Sequence, residues 1–406
     1  MGFKEGFLWG GATAANQYEG YPLEGNGALA TCDVMTNGSH TVRRQVTWKK
    51  EDGTTGSTPL CFGSQERHLP EGAIPALLDD DKYYYPAHIA SDGYHHFKED
   101  IKLFAEMGFK SYRFSTKWSR VYPDPKGEAS EEGLAYYEAV VDECLKYGIE
   151  PLITLHHYET PLIFSQTCNG WEGRECIELF VKYATTLFER LKGKVKYLTF
   201  NEINCIEAAP FVTAGLIHAD EQNIVNATFN QFLASSLTVK AAHENYPDIK
   251  VGMMLAFGPT YGLTCDPVDQ LLARQAEDRT LFYADVQMLG RYPDYILADY
   301  KRKGLVIPAK EGEMEIIEKY TCDFLSFSCY GSSTVTTHPE LANATGGNFS
   351  MGVTNPYVKT NAWGWATDPA CLRLACNTLY YRYHKPIWIV ENGIGWADEL
   401  TSDNKI

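Results

Sequence analysis

The sequence is short of positive charge: 36 lysines and arginines stand against 52 aspartates and glutamates, a formal net charge of −16. Nucleic-acid binding needs a basic patch, and adhesion to an anionic membrane needs one too, so neither partner is expected. A small anionic ligand held by a few local cations is still allowed. No apolar run reaches membrane-spanning length, and MGFKEGFLWG lacks a positive region followed by a long apolar stretch, so no signal peptide is expected. No CxxC pair or Cys/His cluster offers a metal site. The eleven cysteines are odd in number with no paired spacing, and Cys205, Cys322 and Cys329 fall inside apparent elements. A disulfide framework is therefore not expected; a reducing, cytoplasmic compartment is.

What is present suits a large packed core: 44% of the 406 residues are hydrophobic and 13% aromatic. Strand-like runs alternate with helical patterns. FLWGGAT begins at Phe7, SYRFST at Ser111, EPLITLHH at Glu150 and KYLTFNE at Lys196. KVGMMLAFG begins at Lys250, DFLSFSCYGSS at Asp323 and PIWIVENG at Pro386. Between them, apolar residues recur at helical spacing: Tyr94, Phe97, Ile101, Phe104 and Met107 before Gly108, and Leu134, Tyr137, Val141 and Cys144 before Gly148. Ile177, Phe180, Ala184, Leu187 and Leu191 repeat the pattern before Gly193. Helix-then-strand alternation specifies parallel strands with crossovers, in one domain over 1–406.

A doubly wound sheet and a barrel both fit that rhythm. The doubly wound fold favours a Gly-rich phosphate loop after its first strand, and GGATAANQYEG is not GxGxxG. Polar residues gather instead at the C-terminal tips of several strands: His156–His157, Asn201–Glu202, Tyr330 and Glu391–Asn392. A (β/α)8 barrel brings such tips to one face, so a TIM barrel is expected. Two irregular segments, Met35 to Tyr85 and Thr334 to Lys359, read as long loops, the first of them over that face.

Two core strands that each end on a glutamate invite a chemical explanation. Splitting a glycosidic bond takes two carboxylates, one giving a proton to the leaving oxygen and one attacking the sugar carbon or activating water. Adjacent amides can orient sugar hydroxyls. Trp9, Trp118 and Trp363 read as packing residues.

FLWGGATAANQYEG, YRFSTKWSRVYP, TLHHYETP, TFNEIN and IVENG, in that order through nearly the whole chain, closely resemble glycoside hydrolase family 1. The resemblance implies that Glu202 is the general acid/base and Glu391 the nucleophile. It implies that Gln17, His157 and Asn201 hold hydroxyls of the cleaved sugar, that Arg113 and Tyr330 contact the nucleophile, and that Trp365 lines the leaving-group side. A retaining mechanism puts the carboxyl groups only about 5 Å apart and requires neither metal nor organic cofactor.

Within the family, DVMTNGSH, DIKLFAEMGFKSYRFST and YADVQMLGRYP are similar to the branch that cleaves 6-phospho-β-glucosides. Ser328, where ordinary β-glucosidases often have asparagine, and Tyr158, in place of the usual tryptophan, point the same way. A phosphorylated β-glucoside is the expected small-molecule partner. A β-glucosidase or β-galactosidase acting on unphosphorylated sugars is the alternative. The family pattern continues beyond Ile406, with an eighth strand–helix unit and the branch's phosphate-binding serine, lysine and tyrosine, so that unit is expected to be missing. An inactive or sugar-binding fragment is accordingly a third reading. The sugar configuration, the aglycone and the oligomeric state, a homo-oligomer included, stay open.

Overall fold

The computed structural model describes residues 2–39, 41–343, 352–361, 364–395 and 397–402. Seven parallel strands make the central sheet: β1 (Gly10–Ala12), β2 (Ser111–Ser115), β3 (Glu150–His156), β4 (Lys196–Phe200), β5 (Val251–Ala256), β6 (Phe324–Ser328) and β7 (Ile387–Glu391). Their spatial order is their chain order. Between successive strands run α1 (Gly93–Glu106), α2 (Glu131–Lys146), α3 (Glu175–Leu191), α4 (Glu221–Asn245), α5 (Pro267–Leu289) and α6 (Cys371–Tyr383). Sequential parallel strands with intervening helices are the winding of a TIM barrel. Among the described residues no eighth strand joins the sheet, and β1 and β7 are its two ends.

Local chemistry explains the element ends. At the start of α2 the Ser130 hydroxyl accepts from the Gly133 amide at 3.1 Å, and Glu131 and Glu132 face the positive end of the helix. Gly108 and Gly148, at φ +92° and +67°, then turn the chain out of α1 and α2 in a conformation that disfavours a Cβ.

Alternation along the strands divides the core in two. Tyr112, Phe114, Ile153, Leu155 and Tyr197 belong to the layer packed under the helices. Leu152, Leu198, Met254, Phe324 and Val390, one from each of β3 to β7, form a separate cluster inside the barrel. Arg113 and Thr154 alternate with the helix-facing residues of their strands, which puts both on the inner side. Phe200, the last residue of β4, stacks on Phe180 of α3 at 4.8 Å and meets Trp171 edge-on at 5.0 Å. The residues that follow it therefore leave a fixed point.

The segment 35–85 departs from the expected loop. It holds a three-stranded antiparallel sheet, Val46–Lys49 between Thr55–Thr58 and Ile74–Pro75. Val34, Val46, Trp48, Leu60 and Phe211 cluster beneath it. The signal was Asp52–Gly53, a dipeptide suited to a tight hairpin, between Trp48 and Thr55. The second irregular segment begins with Ser333–Val335, paired with Thr260–Gly262; residues 344–351 lie outside the described residues. Trp118 packs in the core, stacked on Tyr183. Trp9 does not: it precedes an end strand, is 57% exposed, and sits with Phe3 and Phe7 in an aromatic group beside the cavity described below. Trp363 lies outside the described residues.

A buried ion pair fastens the segment after β1 to the barrel. Lys117 Nζ lies 2.7 Å from Asp33 Oδ2, with both side chains almost fully enclosed. Burial pulls the ammonium's pKa down, but Asp33 and the neighbouring anions outweigh it and the net shift is upward. Removing the cation strands a buried carboxylate. Lys117→Met is therefore expected to cost roughly 3–5 kcal/mol, seen as a lowered urea midpoint against the parent chain.

Candidate active site

The strand tips converge on one cavity of about 2780 Å³, lined by Gln17, His157, Tyr158, Asn201, Glu202, Tyr330, Trp365 and Glu391 among others. Glu391 is the last residue of β7. Arg113, projecting from β2 and buried, pairs its Nη1 with Glu391 Oε1. The same guanidinium donates from Nη2 to Asn201 Oδ1 at 2.6 Å and from Nε to Thr154 Oγ1 at 2.8 Å. The second Glu391 oxygen accepts from the Tyr330 hydroxyl at 2.8 Å. Burial and the adjacent carboxylate push the Tyr330 phenol up, so it remains a donor.

Glu202 occupies a different environment. It follows β4 by two residues with φ +40° and ψ +53°, a left-handed conformation that a non-glycine residue adopts at a cost. Its backbone amide points at Met254 Sδ, 3.1 Å away in the barrel's inner cluster. Its carboxyl oxygens accept from the Ser328 and Tyr158 hydroxyls. Burial, and then the charge of Glu391, raise the Glu202 pKa; the two hydroxyls and Arg113 act in the opposite direction without cancelling that rise. One carboxyl is thus biased toward its protonated form, while the other is paired with a guanidinium.

Two short routes tie the glutamates together. Ser328, which donates to Glu202, is the register partner of Glu391 across β6 and β7. Arg113 joins Glu391 to Asn201, the residue before Glu202. Side-chain amides brace the same tips: Asn204 exchanges two bonds with Ala256 at 2.9 and 3.0 Å, and Asn392 donates to the Cys329 carbonyl at 2.6 Å.

The remaining expected residues fall on the same cavity. His157 is neutral, its pKa lowered by burial and then by Arg113. Its Nδ1 is buried without a hydrogen-bond partner, and the residue lines the cavity. Gln17 sits in the helical turn Ala15–Tyr18 after β1, exposed to the cavity. Trp365 meets the Tyr330 ring edge-on at 5.9 Å. Sequence reasoning singled out Ser328 and Tyr158 only as marks of a branch; the structure makes them hydroxyl donors to Glu202, with the Cys205 thiol 3.8 Å from the same carboxyl group. Thr154 was missed altogether. Its signal was an inward position opposite Arg113, its register neighbour but one, since Arg113 pairs with Leu152. Among the described residues no cluster of three or more His, Cys, Asp or Glu side chains is arranged to hold a metal ion.

The Glycosyl hydrolase family 1 model matches residues 79–406. The chain belongs to glycosyl hydrolase family 1. It is 42% identical over 410 residues to the aryl-phospho-beta-D-glucosidase BglH of Bacillus subtilis (strain 168), covering 100% of this chain and 80% of that protein. It is 40% identical over 410 residues to the 6-phospho-beta-glucosidase AscB of Escherichia coli (strain K12), covering 100% of this chain and 81% of that one. Among solved structures, the psychrophilic beta-glucosidase BglU from Micrococcus antarcticus aligns with a TM-score of 0.76 at 29% identity, over 99% of this chain and 81% of that chain. The family 1 b-glucosidase from Thermotoga maritima, at 24% identity and a TM-score of 0.77 over 99% and 81%, shows the shared fold. As a family 1 barrel the chain carries its polar tips at the C-terminal ends of the strands, the face on which TIM-barrel chemistry is built.

The donors to Glu202 make a pH prediction. Hydroxyls that donate to a carboxylate stabilise its charged form, so Ser328→Ala raises the Glu202 pKa further. The alkaline limb of kcat/KM, set by the acid of the free enzyme, moves to higher pH. In a variant retaining some turnover, Glu391→Asp, where the nucleophile's charge is drawn back, moves that limb lower. Profiles of kcat/KM from pH 5 to 10 check both directions.

Proposed function

We propose that this chain hydrolyses 6-phospho-β-glucosides to glucose 6-phosphate and an aglycone, with retention at the anomeric carbon. The observation that carries the reading is the pairing of unlike glutamates in one cavity: Glu202 biased toward protonation by burial, Glu391 ion-paired with Arg113. Glu391 attacks the anomeric carbon as Glu202 gives its proton to the departing oxygen; the glycosidic bond breaks and a glycosyl ester forms. Glu202, now a carboxylate, takes a proton from water, whose oxygen attacks the same carbon and releases the ester. Arg113 and Tyr330 hold the Glu391 oxygens in line throughout, and no proton is left over at the end of the cycle. Gln17, His157 and Asn201 hold sugar hydroxyls in this scheme, and Trp365 flanks the leaving group.

The phosphate on the substrate is inferred from the relatives, whose names specify phospho-glucosides. A cytoplasmic setting belongs to the same proposal, because a substrate phosphorylated during import meets its hydrolase there; no described helix is long and apolar enough to cross a membrane. So does a single catalytic domain whose eighth strand–helix unit is unaccounted for among the described residues.

In a chain that also carries the branch's phosphate-binding serine, lysine and tyrosine, turnover of p-nitrophenyl β-glucoside 6-phosphate is expected to exceed that of the plain glucoside by at least about tenfold in kcat/KM, since hydrogen bonds to a charged group contribute about 1.5–3 kcal/mol. Preference for the plain sugar overturns the substrate. For the roles, Glu202→Ala is expected to lose most turnover of substrates with poor leaving groups and, with a 2,4-dinitrophenyl glycoside whose leaving group departs without an acid, to be accelerated by azide, giving a β-glycosyl azide. An α product, or no rescue, overturns the assignment of Glu202 as the acid/base of a retaining reaction.

A further inference from the structure

The cavity wall carries a feature that the reaction above leaves unused. Arg43 and Arg44, in the segment between β1 and strand Val46–Lys49, both line the cavity and are exposed to it. Among the described residues neither guanidinium has a carboxylate within ion-pair distance, in a chain with 52 acidic residues; Lys196, the other lining cation, is paired with Glu150. The arginine donors that are engaged meet backbone carbonyls: Arg44 Nε to Thr36 at 3.0 Å and Arg43 Nη1 to Phe62 at 3.3 Å. Both side chains line the cavity.

Two glycines lie against these side chains. A Cβ at Gly38 would meet Arg44 Cγ at 3.2 Å. A Cβ at Gly63, which has φ +75°, would meet Arg43 Nη1 at 2.6 Å. Arg44 lies beside Cys32 and Cys61, where partial enclosure lowers its pKa.

Position assigns the arginines to one side of the bond being cleaved. Phe62, whose carbonyl receives Arg43, lies 6.0 Å ring to ring from Tyr158, and Tyr158 donates to Glu202. Glu202 is the group that protonates the departing oxygen in the scheme above, so this wall faces the leaving group. We propose that Arg43, Arg44 and Phe62 form a leaving-group subsite for an aromatic aglycone bearing an anionic group such as a carboxylate. Guanidinium forks match carboxylate geometry, and the Phe62 ring supplies an apolar face for the aryl group. The inference rests on the proposed roles of the two glutamates. The sugar's own phosphate is the competing source of the anion.

Titration calorimetry with four slowly cleaved S-linked ligands separates these cases. They are the para-carboxyphenyl and para-carboxamidophenyl 1-thio-β-glucosides, each with and without a 6-phosphate. The carboxylate is expected to bind about tenfold more tightly than the carboxamide, and Arg43→Gln/Arg44→Gln is expected to erase that difference while the gain from the 6-phosphate persists. Arg44→Lys should restore part of it. The exposed Arg43→Gln alone, expected to remove at least about threefold, serves where the double variant does not fold. No carboxylate preference, or one that survives the substitutions, overturns the proposal. Loss of the 6-phosphate gain in the double variant overturns it in favour of the sugar phosphate. If the 6-phosphate adds nothing in the parent chain, the substrate reading of the preceding subsection fails, and the two plain ligands still decide for the arginines. If none of the four binds, both readings fail.

Discussion

Arg113 is the constraint on which the site depends, because its one guanidinium ties its own strand to three others of the barrel. It rises from β2, bonds Thr154 of β3 and Asn201 beyond β4, and pairs with Glu391 of β7. A guanidinium offers its donors in a rigid plane, so fixing two of them on neutral partners fixes the direction of the third. The carboxylate is thereby positioned by atoms that do not themselves react. The arrangement is costly to bury and is compensated only when every donor finds its acceptor. That places a requirement on strand register: a slip of β3 or β4 by one residue would remove Thr154 or Asn201 from reach.

The opposite requirement holds at Glu202. An acid that must carry a proton near neutrality is served by enclosure and by a nearby negative charge, and both are present. Its two hydroxyl donors work against that rise, yet they orient the carboxyl group. The balance has a stability consequence. A carboxyl whose folded pKa is raised favours folding below its unfolded pKa and loses that contribution as pH climbs through the folded value. The same burial that readies the proton therefore makes alkaline conditions less favourable to the fold. The left-handed backbone at Glu202, and again at Tyr158 with φ +67°, adds local strain at the two residues that share a hydrogen bond. Phe180 stacked on Phe200, and Trp171 edge-on to it, at β4's end supply the packing that holds such a conformation.

Much of this was legible in the sequence, for a physical reason. A buried strand ending on a glutamate is expensive, so TFNE and IVENG announce themselves without coordinates, and helical spacing marked the elements between them. What escaped notice were relations between distant residues. Ser328 and Glu202 are 126 positions apart, and only the register of β6 between β5 and β7 shows that a serine at that tip reaches the acid. Thr154 looks like any other β-branched strand residue until Arg113 is seen beside it. The hairpin at Asp52–Gly53 was hidden by the polarity of its neighbours, because its strands are short and pack on a satellite cluster apart from the main core. Trp9 was misjudged for the converse reason: an aromatic next to a strand packs on both sides only where the strand has neighbours on both sides.

The contrast between Arg113 and the Arg43–Arg44 pair shows what burial alone does not say about an arginine. Arg113 has its three donor directions filled by side chains from separate elements, so its function is fixed within the protein. Among the described residues Arg43 and Arg44 donate to backbone carbonyls, Arg43 to Phe62 and Arg44 to Thr36, and both side chains line the cavity. In an acidic chain a nearby carboxylate would neutralise such a pair at small cost, through a single substitution on the exposed segment. Such a partner would also occupy the donors. A pair with no carboxylate partner among the described residues, on the wall of the cavity that also holds the acid/base, is an arrangement suited to an anion that arrives and departs with the substrate.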